Sequence, residues 1–133
     1  STDFSQNDSR MTSFEDCASQ RNLTARGRDE ARAIGEHVKR LKIPIGEVLA
    51  SPFCRTLETA RLAFGKATAT GDVRGPASDT AGRYAALRKL LSTRIPKGQN
   101  LVISSHGNPL GAGTFKTEPS LANFQPWQGQ SKP

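Results

Sequence analysis

The sequence predicts a layered α/β domain with a largely parallel sheet. Two observations carry this reading. Stretches with helical spacing alternate with short apolar runs, and that alternation is the signature of parallel strands joined by helices. The chain has 133 residues, enough for one domain with one hydrophobic core and too few for two.

The elements follow in order. Residues 1 to 20 are polar and without period, and Ser5, Asn7, Asp8, Ser9, Thr12 and Ser13 read as loop. Thr24 is an N-cap, and Ala31, Ile34, Val38 and Leu41 recur on one face of the helix it opens. Pro44 closes that helix. Glu47-Val48-Leu49-Ala50 is a short strand, broken by Ser51-Pro52. A second helix runs from Cys54 to Phe64, and Gly65 sits where a C-terminal glycine belongs. Residues 66 to 79 read as loop. A third helix spans Asp79 to about Thr93, with Asp79 or Thr80 as its cap. Tyr84, Leu87 and Leu91 share its face, and Gly82 weakens it locally. Pro96-Lys97-Gly98 is a turn, and Asn100 to Ser104 is a buried strand that ends at Ser105-His106-Gly107. After Leu110 the pattern dissolves among glycines and prolines. Two clear strands are few for a parallel sheet.

Composition narrows the function classes. The formal net charge is +7 and the sequence pI is ≈ 10.0, which favours anionic partners or else solvated basic helix faces. The basic residues are scattered rather than gathered, and with one Trp and one Tyr a base-stacking surface has little support. No nucleic-acid partner is expected. Apolar runs are short, such as Leu101-Val102-Ile103, and fall far below the ~20 apolar residues that cross a bilayer, so no membrane span is expected. The apolar share of 35 % is low, which fits either long loops or an incomplete core. Cys17 and Cys54 can form one bridge or remain two buried thiols, and no paired-cysteine spacing points to a metal. If bridged, they close a loop of about 38 residues, worth roughly 4 kcal/mol in the loop-entropy picture.

Three segments can carry chemistry. Ser51 to Thr56 joins a strand end to a helix start, where free N–H groups and a partial positive charge meet anions. Arg55 there offers a bidentate fork for phosphate, or is a surface arginine on an ordinary helix. Ser104 to Asn108 follows the second strand, so His106 faces the same sheet edge, either as a hydrogen-bonding partner for a phosphoryl group or as a structural strand-end histidine. Arg21 and Asn22 precede the first helix and can reach an anion, or serve only the loop. His37 lies at the edge of the first helix's apolar face and takes no role.

Taken together, these segments resemble the histidine phosphatase superfamily, also called phosphoglycerate mutase-like. Asp16-Cys17, Gln20 to Thr24, Gly27-Arg28, Ala31 and Ile34-Gly35 are similar to the family's "LT..G..QA" region, and to a bacterial branch with "DC..QRNL". Val48 to Thr56 with Glu58-Thr59-Ala60 is similar to its "V..SP..R..ETA" stretch, and Asn100 to Asn108 to the strand with its second histidine. The match covers residues 16 to 110, while residues 111 to 133 match poorly. The resemblance implies a three-layer α/β/α fold with a mostly parallel sheet. It implies hydrolysis of phosphate monoesters through a phosphohistidine, with no metal or other cofactor. Arg55 would be the second arginine and His106 the second histidine on the phosphoryl group. Glu118, ahead of Asp72 and Asp79, would protonate the leaving group. A phosphorylated small molecule or inorganic phosphate is the implied partner; oligomeric state is unread. The branch and its two cysteines point towards an exported or periplasmic protein.

The chain departs from the family at one point. It holds no Arg-His pair, and Ser1-Thr2 stand where residues just after the family's nucleophilic Arg-His-Gly fall. The expectation is therefore a single domain over residues 1 to 133, incomplete at its N-terminus, with a first strand missing and no turnover of its own. The alternative is a non-catalytic phosphate- or phosphoprotein-binding module on the same fold.

Overall fold

A computed structural model describes residues 1–74 and 84–106. Three helices, α1 (Ala25–Arg40), α2 (Cys54–Phe64) and α3 (Ala85–Ser92), alternate with three strands, β1 (Ile45–Ala50), β2 (Thr68–Ala69) and β3 (Asn100–Ser104). The strands form one open, all-parallel sheet in the order β2-β1-β3.

Local chemistry sets most of the boundaries. The Thr24 hydroxyl accepts from the Gly27 N–H at 3.0 Å and starts α1. Gly65 ends α2 in the left-handed conformation, φ 75°, and its N–H reaches the Arg61 carbonyl at 2.8 Å. Along β1, Ile45 pairs with Asn100 but Val48 pairs with Val102, so one extra residue bulges near Gly46.

The sheet buries both faces. On one, Val48, Ala50 and Ala60 form a core with Leu57, Phe64 and Val102. On the other, Val73, Tyr84 and Leu87 pack with Leu90 and Ile103. Val102 and Ile103 therefore point to opposite sides, as neighbours on a strand must. Helices α1 and α2 lie on one side and α3 on the other, which gives the three layers of an α/β/α domain. The central strand β1 is buried from Val48 to Ala50, whereas β3 is half-buried where the sequence predicts full burial. Its outer edge is joined to no strand among the described residues.

Three expectations about packing are corrected. First, α1 does not bury its Ile34 and Leu41; they are 49 % and 69 % exposed. The buried face is Gly27, Ala31 and Gly35. A Cβ on Gly35 would stand 2.1 Å from the Ala63 carbonyl oxygen, so the two helix backbones touch and only small residues fit between them. Second, residues 68 and 69, expected as loop, form β2 beside Leu49 and Ala50. Third, α3 packs Leu87 and Leu90 and leaves Leu91 42 % exposed. The proposed start of α3 at Asp79, with Thr80 and Gly82, lies outside the described residues, as does the tail from residue 111.

Candidate functional site

All three strands run the same way, so their carboxyl ends open on one side of the sheet. Ligands in open α/β sheets gather there. The chain leaving β1 supplies Phe53 and Arg55; the turn after β2 supplies Arg74; the chain leaving β3 supplies Ser105 and His106. With Thr2, Asp8 and Arg21 from the N-terminal loop they line a cleft of about 560 Å³.

The corner between β1 and α2 is held in place from several sides. The Ser51 N–H donates to the Ser104 carbonyl at 2.9 Å. The Thr56 hydroxyl donates to the Ser51 carbonyl at 2.8 Å, and the Ser104 hydroxyl to the Thr56 carbonyl at 2.9 Å. These bonds fix the start of α2 against the end of β3, and hence Arg55 relative to His106.

Arg55 is largely buried. Its guanidinium donates to Asp8 Oδ1 at 2.9 Å and to the Arg21 carbonyl at 3.3 Å, and it lies 4.4 Å from the Phe53 ring centroid. Asp8 also accepts the Arg21 N–H at 2.9 Å. Burial alone would push the Asp8 carboxyl up, but the bond from Arg55, the Arg21 N–H and both positive charges hold it below the usual carboxylate range. Arg21 Nε is buried and has no hydrogen-bond partner among the described residues.

The His106 Nε2 and the Ser51 hydroxyl lie 2.7 Å apart. The His106 ring meets Phe53 edge-on, with centroids 5.1 Å apart. Burial first, then the charges of Arg55, Arg21 and Arg74, lower the His106 pKa below its ordinary 6.5; Asp8 opposes them. The site therefore favours the neutral form of the imidazole.

A cross-link ties the loop to this corner. Cys17 and Cys54 are joined in a disulfide, which resolves the two readings the sequence left open. Beside it, the buried Gln20 side chain accepts the Cys54 N–H at 2.9 Å and donates to the Phe14 carbonyl at 2.9 Å.

The structure thus brings Arg55, His106 and Arg21 together and leaves Asn22 out. Both Asn22 amide hydrogens go to the Cys17 and Gln20 carbonyls, at 2.7 and 3.0 Å, so the side chain serves the loop. His37 is exposed on α1, and Asp72 is exposed in the turn after β2. Glu118, Asp79 and Gly107 lie outside the described residues. Sequence reasoning gave no role to the cleft residues Asp8 and Arg74 or to Ser51, the buried partner of His106. Ser51 stood inside a quoted motif. Arg74 was obscured because β2 was not recognised; a strand there would have placed the following turn at the site. Asp8 had no signal in a polar run.

This arrangement, cationic side chains and one histidine at the carboxyl ends of a parallel sheet, is a candidate anion site in an α/β domain. The family model for the histidine phosphatase superfamily (branch 1) matches residues 6–74, more than half of the chain, and the protein belongs to that superfamily. No curated protein matches the chain. Superfamily membership supports a phosphatase-like function and a phosphorylated ligand. No helix among the described residues is long and apolar enough to cross a membrane.

Proposed function

We propose that the cleft binds the phosphoryl group of a phosphate monoester, with Arg55, Arg21 and His106 as its oxygen partners. One observation carries this reading. Arg55, Arg21 and His106 line one cleft at the strand ends, and Asp8, the carboxylate that lines it with them, is already paired with Arg55. A phosphate group brings the negative charge that Asp8 alone leaves unmatched. Arg55 offers its remaining donors from a held position, and His106 adds a hydrogen bond or, once protonated, a charge. Donors fixed before the ligand arrives need little reorganisation, which is how a site stabilises charge spread over phosphoryl oxygens.

In this reading the chemistry is hydrolysis through a phosphohistidine, and these residues are its phosphoryl-binding side. The family places its nucleophile in an Arg-His-Gly motif, and the histidines of this sequence are His37 and His106. That fact favours a second reading for these 133 residues by themselves, a phosphate- or phosphoprotein-binding module without turnover. The disulfide supports an oxidising compartment such as the periplasm.

Titration of inorganic phosphate into the protein and two variants tests the site. Arg55→Ala and His106→Ala each remove a partner worth about 1.5–3 kcal/mol where charge is involved, and affinity should drop at least tenfold. Arg55→Ala should lose more, because it also leaves the Asp8 carboxylate unpaired beside the anion. Unchanged affinity in both variants would sink the assignment. Incubation of the full-length natural protein with a phosphate monoester separates the two readings: acid-labile phosphorylation of an Arg-His-Gly histidine supports the first, and its absence supports the second.

A further inference from the structure

The two ring nitrogens of His106 have different surroundings. Nε2 lies 2.7 Å from the Ser51 hydroxyl, and Nδ1 takes no hydrogen bond among the described residues. Ser51 is fully buried, and its backbone is held from both sides. Its N–H donates to the Ser104 carbonyl, and its carbonyl accepts from the Thr56 hydroxyl. The His106 ring rests edge-on against Phe53. Both partners are therefore fixed before a ligand arrives.

A buried hydroxyl has one proton to place, and its placement decides where the ring keeps its own. A hydrogen on Nε2 would donate to the Ser51 oxygen, which the Phe53 N–H already approaches at 3.5 Å. The Ser51 proton would then be stranded, because among the described residues the hydroxyl reaches no acceptor besides His106. A buried donor without an acceptor costs more than one hydrogen bond returns. With the hydroxyl donating to Nε2 that cost disappears. Nε2 is then bare, and the neutral ring carries its hydrogen on Nδ1. This reverses the preference of a free imidazole in water. His106 lines the cleft and Ser51 does not, so Nδ1 is the nitrogen left for a ligand.

We propose that Ser51 is a positioning residue, which holds His106 as the Nδ1–H tautomer and so makes the neutral ring a hydrogen-bond donor to the anion. A bare Nδ1 would turn a lone pair towards phosphoryl oxygens and repel them. Nδ1–H donates to them without needing a positive charge. The step to the anion rests on the phosphoryl-binding reading above; the tautomer does not.

The test begins with nitrogen NMR spectra of the His106 ring at pH 8 without ligand. His37→Gln removes the other histidine of the sequence. Bare and hydrogen-bearing ring nitrogens differ widely in chemical shift. The hydrogen should sit on Nδ1; a hydrogen on Nε2 would overturn the proposal with Ser51 unaltered. Ser51→Ala should move the hydrogen to Nε2 in much of the population, and an unmoved tautomer would overturn the proposal by taking the choice away from Ser51. Sulfate titration then separates positioning from packing. Arg55, Asp8, Arg21 and Arg74 are the charged groups that act on the ring, and the Asp8 carboxyl stays ionised down to pH 5.5. Ser51→Ala should weaken sulfate binding about three- to tenfold at pH 8, the effect of one lost hydrogen bond. The loss should be smaller at pH 5.5, as the ring gains its second proton and both nitrogens donate. Equal losses at both pH values would overturn the proposal by reducing Ser51 to packing. If the tautomer turns with Ser51→Ala but neither protein binds sulfate, the phosphoryl-binding reading falls and the hold of Ser51 on the ring stands.

Discussion

One wall of the cleft, the corner of β1 and α2 with the end of β3, is tied together by bonds between regular elements. The facing wall, residues 1–22, has no helix or strand beyond the 3-10 turn Cys17–Ser19 and a single bridge from Thr2 to Leu23. It is shaped by short side-chain turns, in which Asp3, Asn7 and Asp16 accept the N–H groups of Ser5, Ser9 and Thr12 at 2.9, 3.0 and 3.2 Å. Such turns bend the chain but do not say where it lies on the domain. That is decided by a few cross-links: the disulfide, Gln20, and Asp8 on Arg55. The first wall places the cleft, and the second completes it only while those links hold.

The largest break in this comparison comes from the disulfide. Cys17 and Cys54 are 37 residues apart, and a loop of that length puts the loss on removing the bridge at up to about 4 kcal/mol. Cys17→Ser with Cys54→Ser should lower stability by a large part of that amount in urea unfolding. It should also weaken phosphate binding, because Arg21 sits on the released loop while Arg55 follows Cys54 directly. Full stability with intact binding would mean that the side-chain links alone hold the loop.

A smaller break is Gln20→Ala. The side chain is 1 % exposed and bridges the Phe14 carbonyl and the Cys54 N–H. Truncation strands both buried groups, and about 1–3 kcal/mol of stability should go with them. Gln20→Glu keeps the acceptor and loses the donor. If the Cys54 N–H is the bond that matters, Glu should recover part of the loss in thermal melts.

The same contrast explains what was legible in the sequence. The bounds of α2 and β3, the Thr24 cap and the Gly65 terminus were readable because each depends on residues within a turn of itself. Arg55 and His106 were readable because each follows an apolar strand at a motif position. Strand β2 was not, since Thr68 and Ala69 are exposed, carry no apolar period and become a strand only by lying beside β1. The face of α1 was misjudged because Ile34 and Leu41 suited a helix resting on side chains, whereas Gly35 lets it rest on the backbone of α2. Asp8, the counter-charge to Arg55, lies 47 residues away in a polar run, a separation that no local rule spans.

The smallest expected effect is the most specific to the site. Burial and three arginines keep the His106 pKa below 6.5. An anion bound beside the ring adds negative charge and raises that pKa, so binding takes up a proton between the free and bound values. Affinity must then fall as pH rises through that window. Sulfate shows this cleanly, because unlike phosphate it does not titrate near neutrality. Sulfate should bind the protein a few-fold more tightly at pH 5.5 than at pH 8, roughly the effect of a fraction of a pKa unit. His106→Asn should bind it more weakly and with a flat profile over the same range. A flat profile in the unaltered protein would place the anion away from His106 and towards Arg21 on the opposite wall.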